Sequence, residues 1–364
     1  MLRRIPLLLM LALAIRTLAQ EPVPGLIFQP GSVPFLSSHA STLVELQGGM
    51  LMAAWFGGTG EGNPDVAIWG AQAASGESPV WSAPVELARE PEVPCWNPVL
   101  FHTKDGRLWL YYKFGPSPDT WTAARKYSDN EGKTWSPAEH LPAGLIGPVR
   151  AKPLVLPDGA IISGSSTETY HSWAVWIERS IDNGKTWTRT GPFVPPADAI
   201  HPNAGRDAST TSSHAPASPK WNQTTGIIQP SVVSLAGTHL RFYARSTSDI
   251  ARITVADSFD NGVTWTTARP IDVPNPNSGI DAVALKDGRV MLVFNNTTTG
   301  RTPLNLAVSE DGEHFRVFDT LEDGPGEYSY PAIIQGSNDD LYITYTWNRK
   351  SIRFVRVPLT RIPK

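Results

Sequence analysis

The chain has little of three features that would narrow its class. Its 364 residues include one cysteine, Cys95, which excludes an internal disulfide and predicts a buried thiol. Its formal net charge of −3 provides no general attraction for nucleic acid or an anionic membrane surface. After the N-terminus, no apolar run is long enough to cross a bilayer. We therefore expect a globular protein with no nucleic-acid partner and no membrane span after removal of its leader.

That leader is predicted at residues 1–19. Met1 to Arg4 form a basic segment, an apolar run follows, and the segment ends on the small residue Ala19. This order is typical of a secretory signal peptide. The prediction is a secreted or periplasmic protein whose residues 20–364 form a single domain.

A tryptophan-ended motif recurs along the chain. It reads "YSDNEGKTWS" at 127–136, "RSIDNGKTWT" at 179–188 and "DSFDNGVTWT" at 257–266, with a degraded copy, "VSEDGEHFR", at 308–316. A period of about fifty residues is typical of a propeller. In this motif the aspartate binds the backbone of a tight turn and the tryptophan packs between sheets, so Asp182 and Asp260 are interpreted as structural.

A second series of six segments supports the same fold. Each consists of an apolar strand, a tight turn and another apolar strand, as in "VALKDGRVMLVFN" and "LVELQGGMLMAAWF". Such turns between β-branched and aromatic residues are the strongest local signal for a hairpin. The sequence therefore predicts an all-β, six-bladed β-propeller of four-stranded antiparallel blades.

One interval between the motifs is too long, and its surplus predicts an inserted loop at about 194–225. The loop contains His201, Asp207 and His214, but their spacing matches no metal site, and we interpret them as solvated. No metal and no other cofactor is expected.

The ends of the inner strands of a propeller converge on its axis, so polar residues there predict a site. Polar residues begin the six predicted inner strands: His39, Asn97, Lys152, Gln229, Asp281 and Tyr330. Others end the strands that follow: Glu61, Lys113, Glu168, Arg245, Asn295 and Arg349, with Arg301 just beyond. Five of these residues are cationic, and a guanidinium can donate two parallel hydrogen bonds to a carboxylate. We therefore expect an anion site.

The hairpins and motifs, together with "FYARSTSDIARITVADSFDNGVTW" (242–265), "GRTPLNLAVS" (300–309) and "EYSYPAI" (327–333), resemble the sialidase superfamily, in particular its BNR-repeat branch of predicted neuraminidases. The resemblance implies that Arg245 and Arg301 are the second and third arginines that bind the sialic acid carboxylate. It also implies that Tyr328 is the nucleophile. Glu61 matches the acid/base residue, with Asp65 as the competing candidate.

Two positions depart from the family pattern. His39 stands where the first arginine is expected, and Gln229 stands where a glutamate would take the proton of the tyrosine. Asp281 is the second candidate for the nucleophile, and Glu168 is a further carboxylate that is able to act as a base or nucleophile. Lys152 or Lys113 would assist the arginines, and Trp96, Trp173 and Tyr330 offer flat faces to a sugar.

The predicted function is a retaining exo-glycosidase that acts on a glycan ending in an acidic sugar, either sialic acid or a related ulosonic or uronic acid. A glycan-binding propeller without turnover is the first alternative, and His39 and Gln229 favour it. A polysaccharide lyase with a tyrosine or histidine base is the second.

Overall fold

The computed structural model describes residues 23–169, 171–199 and 225–364. The predicted signal peptide at 1–19 and most of the predicted loop at 194–225, with His201, Asp207 and His214, lie outside the described residues. The regular secondary structure of the described part is β-strand, apart from short 3₁₀ turns at Gln47–Gly49, Ala197–Ala199 and Leu359–Arg361. None of its helices is long and apolar enough to span a bilayer.

The strands in chain order are β1 (Ser37–Glu45), β2 (Met50–Gly58), β3 (Ala67–Ala74), β4 (Val85–Ala88), β5 (Cys95–His102), β6 (Leu108–Phe114), β7 (Thr122–Ser128), β8 (Glu139–His140), β9 (Leu154–Val155), β10 (Ile161–Glu168), β11 (Ser172–Ser180), β12 (Thr188–Phe193), β13 (Thr225–Ala236), β14 (His239–Ser246), β15 (Arg252–Ser258), β16 (Arg269–Pro274), β17 (Asp281–Ala284), β18 (Val290–Phe294), β19 (Leu304–Ser309), β20 (Arg316–Glu322), β21 (Tyr328–Gln335), β22 (Leu341–Trp347) and β23 (Ser351–Val357).

Consecutive strands form antiparallel sheets in chain order. Four-stranded sheets are built from β1 to β4, from β5 to β8 and from β17 to β20, and β21 to β23 form a three-stranded sheet. The strands β9 to β12 and β13 to β16 join into one eight-stranded sheet, because β11 and β13 pair in parallel at Trp173 and Gly226. The predicted all-β fold of four-stranded antiparallel sheets is confirmed. Closure of six blades into a ring stays a prediction.

The N-terminal segment completes the last sheet. Leu26 pairs antiparallel with Arg353 of β23. The amide of Ile27 donates to the carbonyl oxygen of Ile352 at 2.8 Å, and Phe354 donates to that of Gly25 at 2.8 Å. Residues from opposite ends of the described chain are thus joined in one sheet.

The repeated motif forms the turn between the third and fourth strands of a sheet, as predicted. In the copy at 179–188, Asp182 accepts hydrogen bonds from the Thr186 amide at 2.8 Å and from the Thr186 hydroxyl at 2.6 Å. These bonds hold the pKa of Asp182 at about 2. Trp187 closes the turn by donating to the carbonyl oxygen of Gly184. The same contacts recur in the copy at 257–266.

The first strands of neighbouring sheets lie side by side. β1 contacts β5 and β21, and β17 contacts β13 and β21. These contacts bring the starts of the first strands, where the sequence predicts a site, close together. Cys95 at the start of β5 is fully buried, as predicted, and burial raises the pKa of its thiol to about 12.

A β-bulge interrupts four of these first strands near their starts. The pairing register shifts there, and Ala40, Asn97, Gln229 and Tyr330 adopt positive φ angles of 55°, 39°, 56° and 52°. Such angles are strained for residues other than glycine and change the direction of the side chain. The bulge in β1 falls on Ala40, one residue after His39. Ala40 is therefore the β1 residue equivalent to Asn97, Gln229 and Tyr330, whereas the sequence pattern predicts His39 at that position.

Candidate functional site

Tyr330 lies at the centre of the predicted site. Its hydroxyl oxygen accepts a hydrogen bond from Nη1 of Arg245 at 2.6 Å and a longer one from Nε2 of Gln229 at 3.4 Å. Its ring centroid is 4.1 Å from that of His39. The bulge in β21 therefore gathers residues from three sheets around one phenol.

Arginines surround this ring. The guanidinium carbons of Arg150, Arg245 and Arg301 are 5.4, 5.7 and 5.4 Å from the Tyr330 centroid. Arg245 and Arg301, which the resemblance pairs on a carboxylate, thus lie beside the same residue. Arg245 also donates to Asn277 Oδ1 at 2.8 Å and has no carboxylate partner among the described residues.

Two of the arginines share one acid. Arg301 Nη1 is 2.8 Å from Oε1 of Glu327, and Arg349 Nε is 2.9 Å from Oε2 of the same side chain. Arg349 also forms an ion pair with Glu61. Burial opposes the charge of Glu327, but Arg301 and Arg349 outweigh it and lower the pKa of this carboxyl below its ordinary value. Glu61 and Glu327 therefore act here as charged partners of arginines.

Arg150 was missed by the sequence analysis, which chose Lys152 in "VRAKP". Arg150 is 2% exposed, and none of its guanidinium nitrogens has a hydrogen-bond partner in the described part of the chain. Burial lowers its pKa and Arg245 adds to this effect, while Asp281 and Tyr330 oppose it. Arg150, Arg245, Arg301 and Arg349 are called the arginine cluster below. Glu327, next to "YSYP", was also missed, because nothing in the sequence shows that it joins Arg301 to Arg349.

His39 is a buried neutral group of this site. Its Nδ1 is 2.8 Å from the Thr346 hydroxyl, while Nε2 has no partner among the described residues. Burial lowers the pKa of His39 well below 6.5, and all four arginines of the cluster lower it further. At neutral pH the imidazole therefore adds no positive charge.

Glu168 provides a carboxyl group of a different kind. It ends β10 opposite Trp173, over which Arg245 lies at 5.5 Å from the ring. Burial raises the pKa of Glu168 to about 7, and the effect of Glu61 adds to the rise, while Arg245 opposes it. A carboxyl with this pKa is able to donate a proton at neutral pH.

Lys152 and Asp281 bind each other. Lys152 Nζ is 3.0 Å from Asp281 Oδ2, and the carboxylate also accepts hydrogen bonds from the Ser231 hydroxyl at 2.6 Å and the Ile333 amide at 2.9 Å. Asp281 is 1% exposed. These contacts join neighbouring strands, and a carboxylate so fully engaged is a poor nucleophile.

Lys113 is fully buried and donates to the Pro148 carbonyl oxygen at 2.8 Å. Burial lowers its pKa to about 7. It holds the segment that leads to Arg150.

Asn97 is buried at the bulge of β5, and Trp96 beside it donates to the Gly115 carbonyl oxygen.

The Tyr328 side chain packs in a different hydrophobic cluster from that of Tyr330. Its ring packs in the hydrophobic cluster of Tyr345 and Ile343, and its hydroxyl is 3.5 Å from the Pro325 carbonyl oxygen. Asp65, the competitor of Glu61, accepts hydrogen bonds from the amide and hydroxyl of Thr59 and closes its own loop. The catalytic roles of Tyr328 and Glu61 stay predictions.

The balance of charge indicates what the site is able to bind. Four guanidiniums face the carboxylates of Glu61 and Glu327, and a third carboxylate, Asp281, is neutralised by its ion pair with Lys152, which leaves two positive charges in excess when Glu168 is protonated. Unpaired charge in a buried place is costly, and an anionic ligand offsets that cost. The site is therefore suited to a carboxylate, with the Tyr330 phenol bound to Arg245 and the Glu168 carboxyl opposite Trp173, on which Arg245 lies.

Known proteins share this fold and repeat. The BNR repeat-like domain family matches residues 49–343. The NanB sialidase of Streptococcus pneumoniae aligns with a TM-score of 0.70 at 14% identity, over 93% of this chain and 71% of the sialidase. The intramolecular trans-sialidase of Ruminococcus gnavus aligns with a TM-score of 0.66 at 13% identity, over 93% of this chain and 98% of that enzyme.

A protein of unknown function from Dyadobacter fermentans also aligns, with a TM-score of 0.66 at 15% identity, over 89% of this chain and 92% of that protein. A search of curated protein sequences gave no match. Identities this low establish a common fold, whereas the repeat match covers most of the chain. The chain belongs to the BNR repeat-like domain family, as a divergent branch with the fold of the sialidases.

Proposed function

We propose that this protein is a sialidase-like exo-glycosidase that removes a terminal acidic sugar, either sialic acid or a related ulosonic or uronic acid, from a glycan. The observation that carries the proposal is the excess of buried positive charge around the Tyr330 ring. The structures with this fold include a sialidase and a trans-sialidase, which is consistent with a sialylated or similar glycan as the partner.

The residues of the site suggest a two-step reaction. The Tyr330 oxygen bonds to the anomeric carbon while the glycosidic C–O bond breaks, Glu168 gives its proton to the leaving oxygen, and the phenol proton passes to solvent. Water then attacks the anomeric carbon and gives a proton to Glu168, while the bond to Tyr330 breaks and the departing phenolate regains a proton from solvent. A phenol suits a sugar whose anomeric carbon bears a carboxylate, because a carboxylate nucleophile would be repelled.

Binding without turnover is the second candidate. Gln229 and Arg245 both donate to the Tyr330 oxygen, and no carboxylate of the described residues accepts its proton. Loss of this base lowers the rate of the chemical step but need not lower the affinity of the site for the sugar.

Hydrolysis of aryl glycosides of N-acetylneuraminic acid and glucuronic acid tests the proposal. Replacement of Tyr330 by Phe should lower kcat by roughly 10³-fold or more, and Glu168→Gln by roughly 10²-fold or more. Tyr328→Phe decides between the two tyrosines, since it should retain most of the activity if Tyr330 is the nucleophile. Arg252→Met is a control outside the arginine cluster, as its side chain is 42% exposed and pairs with Asp272 at 3.6 Å.

The outcomes separate the candidate functions. Binding of acidic sugars without cleavage would reject the hydrolase in favour of the binding protein. Products that absorb in the near ultraviolet would indicate elimination by a lyase. Loss of activity in Tyr328→Phe but not in Tyr330→Phe would restore the nucleophile implied by the resemblance.

The proposal extends to architecture and location. The described strands form five sheets, one of which joins two groups of four strands, so that there are six groups in all. Contacts between first strands of neighbouring groups support the closure of six blades into a propeller. A secreted or periplasmic location follows from the sequence pattern of residues 1–19 and would place the protein where glycans are accessible.

A further inference from the structure

Arg150 is a buried basic side chain that forms no ion pair with a described carboxylate, and Asp281, the acid that acts on it from a distance, is already paired with Lys152. The residue exposure of Arg150 is 2%, and its Nε, Nη1 and Nη2 all lack hydrogen-bond partners among the described residues. The guanidinium offers five donors in a fixed plane. A buried charge without a partner destabilises a fold, so its presence calls for a function.

The surroundings of Arg150 are shaped to admit it. A Cβ atom added to Gly279 would lie 2.9 Å from Arg150 Nε and 3.3 Å from Cδ2 of Tyr330. Only glycine leaves this space. Two residues earlier, Asn277 accepts the hydrogen bond from Nε of Arg245. The short segment 277–279 therefore brings Arg150 and Arg245 to the same side of the site, and both lie beside the Tyr330 ring.

The arginine cluster divides into two pairs. Arg301 and Arg349 share Glu327, and Arg349 also binds Glu61. A ligand carboxylate would have to compete with these acids. Neither Arg150 nor Arg245 forms an ion pair with a described carboxylate: Arg150 has no hydrogen-bond partner there, and Arg245 binds the neutral side chains of Asn277, Tyr330 and Gln229.

We propose that Arg150, together with Arg245, binds the carboxylate of the ligand. Arg150 then supplies, from the segment before β9, the donor that is missing at His39 in β1. The carboxylate lies closer to the sheet of β9 to β16, which carries Arg245 and follows Arg150 in the chain, than a triad with Arg301 would place it. Arg301 and Arg349 hold Glu327 and the loop of Glu61. The identity of the ligand as a sugar rests on the proposed function, whereas anion binding by Arg150 does not.

The test uses the whole protein with two probes and three variants. Sodium acetate, compared with sodium chloride at equal ionic strength, probes carboxylate binding by its effect on Tm. N-acetylneuraminic acid and glucuronic acid, titrated by calorimetry, probe the sugar. The variants are Arg150→Met, Arg150→Lys and the control Arg252→Met.

At ten times its dissociation constant, acetate should raise the Tm of the wild type by about 2 °C more than chloride does. Arg150→Met should lose this rise and bind the acidic sugar at least about tenfold more weakly, yet its Tm without ligand should be higher, because an unpaired charge is gone. The acetate response and sugar affinity of Arg150→Lys should lie between those of the wild type and Arg150→Met, since an ammonium lacks the paired donors of a guanidinium. The control should match the wild type.

Two results would overturn the inference. One is an acetate response of Arg150→Met and Arg150→Lys equal to that of the wild type, including no response in all three. The other is a lower Tm of Arg150→Met with unchanged sugar affinity, which would make Arg150 structural. If acetate acts through Arg150 but neither sugar is bound or cleaved, the inference holds and the proposed function fails. If wild type and variants cleave the sugars equally, the proposed function holds and the inference fails.

Discussion

Replacement of Lys113 by Met should stabilise the protein at neutral pH. The Lys113 side chain is fully buried, with one hydrogen bond to the Pro148 carbonyl oxygen at 2.8 Å. Burial lowers its pKa from 10.5 to about 7, and Glu178 opposes this only in part. The folded state therefore binds this proton less tightly than the unfolded state does.

The sign and size of the effect follow from these two pKa values. Below pH 7 both states are protonated and the folded state bears the full penalty of a buried ammonium; the penalty disappears as pH rises toward 10.5. It amounts to about 4 kcal/mol at pH 7, about 2 kcal/mol at pH 9 and about 1 kcal/mol at pH 10. Methionine has a similar shape but leaves the Pro148 carbonyl unpaired, at a cost of about 1–3 kcal/mol.

Urea unfolding of the wild type and Lys113→Met at pH 6, 7, 8, 9 and 10 measures the difference. The variant should be more stable by about 1–3 kcal/mol at pH 7, and its advantage should vanish or reverse near pH 10. Other titrating groups cancel in the difference. A variant that is less stable than the wild type at pH 7, or a difference that does not change with pH, would refute the reasoning.

Two further predictions concern carboxylates. Burial raises the pKa of Glu168 to about 7, so the folded state holds this proton more tightly and the wild type should lose stability as pH rises from 4.5 through 7. Urea unfolding at pH 5 and pH 8 should show a smaller loss in Glu168→Gln, and an equal loss in both proteins would contradict the assigned cause. Asp182→Ala should lower the Tm, because the Thr186 amide and hydroxyl lose their acceptor, while Asp182→Asn should lower it less, since Asn130 fills this position in another copy of the motif. Equal Tm values for Asp182→Ala and the wild type would show that the turn does not depend on these bonds.

The hairpins and repeated turns could be predicted because their signals are local. The contacts of Asp182 and Asp260 lie within four residues of each aspartate, and turn chemistry of that range is visible in the sequence. The starts of the first strands were also found, since a polar residue before proline interrupts an apolar pattern at Asn97, Gln229 and Tyr330.

Partners from different sheets could not be predicted. The pairing of Lys152 with Asp281 and the sharing of Glu327 by Arg301 and Arg349 depend on which strands become neighbours. The choice of Tyr328 over Tyr330 depends on the bulge, because a positive φ at Tyr330 redirects its side chain in a way that strand alternation does not show.

The pairing of Gly25–Ile27 with β23 has a consequence for synthesis. The last sheet has its full set of strands only when residues 351–357 have left the ribosome, more than three hundred residues after the segment that they need. Until then residues 25–27 have no partner strand. Bringing them together with β23 closes a loop of more than three hundred residues, which is slow. The protein is therefore expected to assemble its early sheets during translation but to complete the sheet of β21 to β23 only after residues 351–357 have left the ribosome.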